Sequence, residues 1–187
     1  LINTSKVQQL ISEMQEYQRG AATFYGMHDA YPGDMNNASS FYSGVTNGDG
    51  DGDIEWQSDE DHHALHHLKS AGLTEHDYTG LTGNGKMANL IFSYPNTTGL
   101  MSYISDMFDI SGNVINPTGL NSFNDAILTG VNAKAIDDKI DDGAPSKGFI
   151  FARAGNNKTA GTHCVSHAYT VPASTNVTWI LSGTGPE

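Results

Sequence analysis

The strongest constraint on the fold is a run of apolar residues at the start of the chain, spaced three, four or seven positions apart. Residues at this spacing form one stripe on a helix, so the pattern predicts an amphipathic helix of about six turns. A helix of that length needs a packing partner along its whole stripe, and it ends before the turn sequence YPGD at 31–34. The stripe consists of Val7, Leu10, Ile11, Met14, Tyr17, Ala21, Phe24 and Tyr25.

Two further helical stretches follow a loop-rich segment at 31–60. The first opens with Ser58 and an acidic first turn, as a capped helix should, and closes at Gly72. The second covers 121–143, with a break near Gly130 and a stop at Gly143. The residues expected to face the core from the first of these helices are Ala64, Leu65 and Leu68.

The remaining stretches favour strands, because they are rich in β-branched and aromatic residues. They are 88–94, 99–110, 147–155, 162–171 and 176–183. We therefore predict an α+β fold in which the long N-terminal helix packs on a small antiparallel sheet, with a loop-rich middle region and short helices. A chain of 187 residues is long enough for one domain with its own core.

The charge balance excludes several classes of partner. The net charge is −12 and the pI about 4.8, so no basic patch is available for a nucleic acid or an anionic membrane surface. The one cysteine, Cys164, excludes an internal disulfide framework, and we expect it to be a small buried apolar residue. No membrane span or signal peptide is visible and the first residue is not Met, so we expect the chain to be part of a longer protein.

The segment NGDGDGDIEW at 47–56 places an acidic or amide oxygen at every second residue, with glycines in most of the gaps. Calcium prefers six to eight oxygen ligands on a flexible loop, and the segment follows the EF-hand pattern up to its ninth position. At the twelfth position Ser58 replaces the usual Glu, and Asp59 or Glu60 could substitute. The alternative is a disordered acidic turn. The predicted calcium ligands are Asn47, Asp49, Asp51, Asp53, Glu55 and Asp59.

Four histidines lie in HHALHH at 62–67 and form two pairs spaced i,i+4 on one helix. Such a pair can chelate zinc, and His28 or His76 could join it. The Glu of the metalloprotease motif HExxH is absent from both pairs. We favour the alternative, a polar helix surface on which one or two histidines pack locally.

The segment AIDDKIDDG at 135–143 contains paired aspartates, which could indicate acid chemistry. Ile136 and Ile140 are spaced i,i+4, however, and favour a core-facing helix with the acids on its solvent side. The chain also contains no P-loop, no GxSxG and no dinucleotide-binding fingerprint. These motifs therefore assign no reaction to the chain.

Four stretches in order resemble one family. The segment at 1–35 resembles the exposed half of the first helix of type IV pilins and type II secretion pseudopilins, including the turn YPGDM that follows it. The acidic loop followed by HHLKSAGL and YTG, and later IDDKIDDG followed by KGFIFARA, resemble the middle of one subgroup of such prepilins.

The resemblance implies a structural subunit of a type IV pilus or a type II secretion pseudopilus. Residues 1–29 would be the C-terminal half of the assembly helix and 30–187 the head of a single globular domain. A leader cleaved before an N-methylated residue would precede about 25 apolar residues, which anchor the precursor in the inner membrane. Helix packing would then assemble it with other pilin-like subunits into an extracellular filament or a periplasmic pseudopilus of a Gram-negative bacterium, with the calcium loop against a neighbouring subunit.

A rival interpretation is a secreted calcium- or zinc-dependent enzyme or a glycan-binding module. It needs a pocket in which His28, His62, His66 and perhaps Asp34 converge. A third interpretation, an adhesin at a filament tip, overlaps with the first.

Overall fold

The structure is a computed structural model with three α-helices and four strands among the residues that it describes. The described residues are 2–54, 58–75, 89–93, 114–118, 130–144, 148, 150–154 and 175–180. The helices are α1 (Ile2–His28), α2 (Glu60–Ser70) and α3 (Gly130–Ile140), with a short 3-10 turn at Ala38–Ser40. The strands are β1 (Asn89–Ser93), β2 (Val114–Thr118), β3 (Ile150–Ala154) and β4 (Thr175–Ile180).

Helix α1 confirms the predicted apolar stripe, because every member from Val7 to Phe24 is buried. Tyr25 is the exception and is 40% exposed. The helix ends where Asp29 adopts the left-handed region with φ of 53° and donates its backbone N–H to the Tyr25 carbonyl. No helix in the described part of the chain is both long and apolar enough to cross a membrane.

Helix α2 confirms the predicted core face, since Ala64, Leu65 and Leu68 are buried. It ends as expected at Gly72, whose φ of 70° permits the closing turn. The start differs from the prediction. The residue that precedes the helix is Asp59, in the left-handed region and without a capping hydrogen bond from its side chain, so Ser58 is not the cap.

Helix α3 confirms the helical prediction over 130–140, and residues 121–129 of the predicted stretch lie outside the described part. Ile136 is fully buried and Ile140 packs at the edge of the core, as expected. Asp137 contradicts the expectation that the acids face solvent, because it is also fully buried.

The four strands pair in the antiparallel order β1-β2-β4-β3. Asn89 lies opposite Thr118, Val114 opposite Ile180, and Ile150 opposite Trp179. Helix α2 contacts β1 and α3 contacts β4. The predicted strands at 99–110 and 162–171 lie outside the described residues.

The predicted α+β fold, a long N-terminal helix packed on a small antiparallel sheet, is wrong for the core that the structure describes. That core is helical. Its buried residues come from the three helices and from the loop around 35–54, and Ile150 is the one strand residue described among them. The main contacts of α1 are with α2 and α3. A strand-like composition indicates the local conformation of a segment, but it does not indicate which elements pack on the apolar stripe of α1.

Candidate metal centre

The acidic loop folds back onto the turn that follows α1 and brings three carboxylates together. One carboxylate oxygen each from Asp34, Asp49 and Asp51 lie within 4.8 Å of one another. Asp34 is 2% exposed and forms the floor of the cluster, whereas the side chains of Asp49 and Asp51 lie at the surface. The cluster therefore joins a residue of the turn to two residues of the loop.

Asp34 holds the loop by accepting hydrogen bonds from two of its glycines. Its Oδ1 accepts from the Gly50 N–H at 2.8 Å and its Oδ2 from the Gly52 N–H at 3.2 Å. Burial raises the pKa of Asp34, the two amides lower it, and the charges of Asp51 and Asp49 raise it further. Burial is the largest cause of the shift, and the smaller contributions of Asp51 and Asp49 are a repulsion between carboxylates that a bound cation would relieve.

The two loop aspartates also shape their own backbone. Asp49 Oδ1 accepts the Asp51 N–H at 3.1 Å, and Asp51 Oδ1 accepts the Asp53 N–H at 2.9 Å. Such Asx turns curl the chain so that alternate side chains point to the same side. Each carboxylate has a second oxygen and further lone pairs, so these bonds leave room for a metal.

Glycine is required at position 48 because the backbone passes very close to its neighbours. A Cβ on Gly48 would meet the Gly33 carbonyl oxygen and the Asp34 backbone, neither of which can rotate away. The Gly48 N–H meanwhile donates to the Met35 carbonyl at 3.0 Å. The loop is thus packed directly on the turn that carries Asp34.

Two buried residues attach the same loop to the rest of the molecule. Ile54 is fully buried, in agreement with the apolar position expected from the EF-hand pattern. The Asp49 N–H donates to Glu60 Oε1 at 2.9 Å, and Glu60 is only 1% exposed. The loop is therefore fastened both to the core and to the first turn of α2.

The structure brings only part of the predicted ligand set together. Asp49 and Asp51 belong to the cluster, and Asp53 follows them in the loop. Asn47 Oδ1 accepts the Ser39 N–H at 2.8 Å instead. The Asp59 side chain is 70% exposed, with its Oδ1 3.5 Å from His62 Nδ1. Glu55 lies outside the described residues.

Sequence reasoning did not include Asp34 among the ligands, because it lies 15 positions before Asp49 and no local pattern connects the two. Its approach depends on the turn after α1. In the sequence, the tripeptide PGD is the feature that could have indicated this approach, because its glycine permits a sharp turn directly before the acid.

A second acidic cluster lies at the end of α3 and was not predicted as a site. One oxygen each from Asp137, Asp141 and Asp142 also lie within 4.8 Å of one another. Asp137 Oδ1 accepts the Gly143 N–H at 2.9 Å, and Asp141 Oδ2 accepts the Ile150 N–H at 2.7 Å. The cluster thus ties the end of α3 to the start of β3. The repeated aspartates of IDDKIDDG were the available sequence pattern.

The histidines of α2 do not form a zinc site with His28. In the described part of the chain, side chains that could bind a metal come together in groups of three or more in the two aspartate clusters, and neither cluster contains a histidine. His28 Nε2 instead lies 2.6 Å from the Tyr42 hydroxyl. The pocket that the rival interpretation needs is therefore not assembled in full: His28 and Asp34 line one cavity, and His62 and His66 do not line it. His76 lies outside the described residues.

His67 has a structural role. It is fully buried and stacks on Phe24 with ring centroids 5.8 Å apart. Its Nδ1 accepts the Gly33 N–H at 2.9 Å, and its Nε2 donates to the Thr46 carbonyl at 2.7 Å. The neutral ring therefore joins α2 to both ends of the loop region, and burial lowers its pKa.

Asp61 is a buried acid beside this site. Its side chain has no exposed surface, its Oδ1 accepts the His62 N–H at 2.9 Å, and its Oδ2 lies 3.7 Å from His62 Nε2 without a hydrogen bond. Burial raises the pKa of Asp61 to about 7, and the charges of Asp59 and Glu60 add to the shift. Burial lowers the pKa of His62, so the pair is most stable when both groups are neutral.

Both aspartate clusters could hold a metal ion. Comparison of the chain with models of known protein families, with curated proteins and with solved structures finds no match.

Proposed function

We propose that the protein is a structural subunit of a type IV pilus or a type II secretion pseudopilus, with no catalytic activity, and that calcium stabilises its surface loop. The chemistry of the acidic clusters and the form of α1 both support this proposal.

The observation that carries the proposal is α1. It is an uninterrupted helix of 27 residues whose apolar stripe is buried from Val7 to Phe24 by its own domain. Because the domain covers that stripe, a helical extension of α1 could project from the domain without exposing the core of the domain. In the proposed filament the extension packs with those of neighbouring subunits, and the rest of the domain faces outward.

Calcium is the proposed ion because the donors of both clusters are carboxylate oxygens. Calcium accepts oxygen ligands in varied geometry, whereas zinc prefers histidine and cysteine and magnesium demands a near-octahedral arrangement. Three aspartates supply only part of a shell of six to eight oxygens. Carbonyls of the loop and water would supply the remainder.

The test of the filament proposal is the mature N-terminus of the protein from its native cell. Intact mass and N-terminal sequencing should find a methylated residue followed by about 25 apolar residues leading into Leu1, long enough to cross a membrane. A secreted protein that starts near Leu1 after removal of an ordinary signal peptide would contradict the proposal. The calcium proposal has a separate test, a melting experiment, so the two can fail independently.

A further inference from the structure

A cavity of about 330 Å³ lies between the end of α1 and the acidic loop and is partly open to solvent. Its size is near the lower end of the range for small-molecule sites, about 300–1,000 Å³. It would accommodate one or two sugar rings. Filament assembly does not use this cavity, although Asp34 and Asp51 of the first aspartate cluster are among its lining residues.

One wall of the cavity is a pair of tyrosines. The rings of Tyr25 and Tyr31 lie 4.7 Å apart with an interplanar angle of 42°. Tyr25 continues the apolar stripe of α1, yet it is 40% exposed and lines the cavity instead of packing in the core. An exposed aromatic ring that lines a cavity suits the apolar face of a sugar ring, whose C–H groups carry partial positive charge.

Amides and carboxylates also line the cavity. Asn36 and Asn37 are exposed and line the cavity, as does Asp29. Asp29 adopts the left-handed region with φ of 53°, a conformation that costs a residue with a Cβ about 1–2 kcal/mol.

The lining contains three aspartates and no lysine or arginine, so it disfavours an anionic ligand. Apart from a metal ion held by the aspartate cluster, the choice is then between an organic cation and a neutral polyol. The asparagine amides decide it, because each offers both donors and an acceptor. A sugar hydroxyl also donates and accepts, whereas an ammonium group can use acceptors only. The carboxylate of Asp34 at the floor already accepts two loop amides.

We infer that this cavity binds a neutral carbohydrate, with a sugar ring on Tyr25 and its hydroxyls on Asn36, Asn37 and Asp29. The inference makes the protein a glycan-binding module as well, whether or not it assembles into a filament.

The test is saturation-transfer difference NMR on the full chain with the methyl glycosides of glucose, galactose, mannose and N-acetylglucosamine. Each is used at about 10 mM, at which a site with a Kd of about 1 mM is mostly occupied. At least one glycoside should receive saturation from the protein. Tyr25→Ala and Asn36→Ala should each reduce that signal at least tenfold.

Met27→Ala is the matched control, because Met27 is 56% exposed on the same end of α1 and does not line the cavity. It should leave the signal unchanged, and circular dichroism checks that all variants fold. The inference is overturned if no glycoside receives saturation, or if the signal survives Tyr25→Ala and Asn36→Ala in folded protein. Binding of tetramethylammonium in place of the glycosides would overturn it in favour of a cation site.

Discussion

Individual buried polar residues account for much of how the loop region is held. His67, Asp34, Glu60 and Asp61 are all nearly inaccessible to solvent. The first three each accept backbone N–H groups from the turn or the loop. A buried polar group with partners specifies one arrangement of the chain, whereas one without a partner costs stability. His67 illustrates the first case, and the Oδ2 atom of Asp61 illustrates the second.

His67→Ala should lower the free energy of unfolding by about 2–4 kcal/mol. It leaves the buried Gly33 N–H without an acceptor and creates a cavity beside Phe24. Urea denaturation at pH 8 measures the change. Lys69→Ala, an exposed change on the same helix, is the control and should have an effect of less than about 0.5 kcal/mol. Equal effects of the two substitutions would contradict the structural role of His67.

Asp61→Asn should stabilise the protein at pH 8 and should stabilise it less at pH 5, where the loss has grown over only about one of the roughly three pKa units. The folded pKa of Asp61, about 7, lies above its ordinary value of 3.8, so the folded state binds more protons between these values. The contribution of Asp61 is therefore fully favourable below about pH 4 and is lost as the pH rises through 7. At about 1.4 kcal/mol per pKa unit, ionisation of Asp61 lowers the free energy of unfolding by at most about 4 kcal/mol at pH 8.

Denaturation of the wild type and Asp61→Asn at the two pH values measures this effect. His62 and His67 oppose it, because their lowered pKa values make stability fall as the pH drops below about 6.5. The difference between the two proteins isolates Asp61 from these histidines. A difference that is the same at pH 5 and pH 8 would show that Asp61 is ionised in the fold.

At the scale of elements, the loop is specified by how closely it packs on the turn after α1. Gly48→Ala should destabilise the protein by about 1–3 kcal/mol, since the added methyl group meets rigid backbone at Gly33 and Asp34. Gly26→Ala is the matched control, because no atom lies within 4 Å of its added Cβ in the helix. There the gain in helix propensity should stabilise by about 0.5–1 kcal/mol.

Thermal melting of both variants gives the comparison. Opposite signs of the change in melting temperature are expected. Stabilisation by Gly48→Ala would mean that the loop does not pack on the turn as described.

The helices were predictable from sequence because their evidence is local. The stripe of α1, the core face of α2 and its stop at Gly72 all follow from spacing and from a glycine. The start of α2 was not predictable in this way, because the acids of its first turn are buried and Glu60 accepts a hydrogen bond from the loop. Asp59 precedes the helix without capping it. Local rules expect such acids to lie in solvent near the positive end of the helix.

The candidate site was predictable only in part for a similar reason. Asp49 and Asp51 belong to a repeating pattern, whereas Asp34 reaches them through tertiary structure. Likewise, Asp137 is buried where the helical pattern of Ile136 and Ile140 assigned the acids to solvent. Periodicity locates the apolar face of a helix, but it does not exclude an acid that is buried by its own hydrogen bonds.

For the whole molecule, each of the two aspartate clusters joins two successive segments of the chain. The first ties the turn after α1 to the acidic loop, and the second ties the end of α3 to β3. In a chain with a net charge of −12, concentrating six carboxylates in two places costs stability unless a cation balances them. Stability should therefore depend on calcium at two separable sites.

Removal of calcium with EDTA should lower the melting temperature, and added calcium should restore it. An ion present at about 100 times its Kd stabilises by about 2.7 kcal/mol per site, and each kcal/mol is worth about 2–4 °C in a domain of this size.

Asp49→Asn with Asp51→Asn should remove one part of the shift, and Asp141→Asn with Asp142→Asn the other. Asparagine is the chosen replacement because its Oδ1 can still accept the backbone hydrogen bonds of both loops. Two controls should leave the calcium-dependent shift intact. They are Glu75→Gln, an exposed acid outside both clusters, and the pair His62→Ala with His66→Ala. A melting temperature of the wild type that is the same in EDTA and in calcium would contradict calcium binding at both clusters. Loss of the whole shift in one double variant would assign binding to that cluster alone.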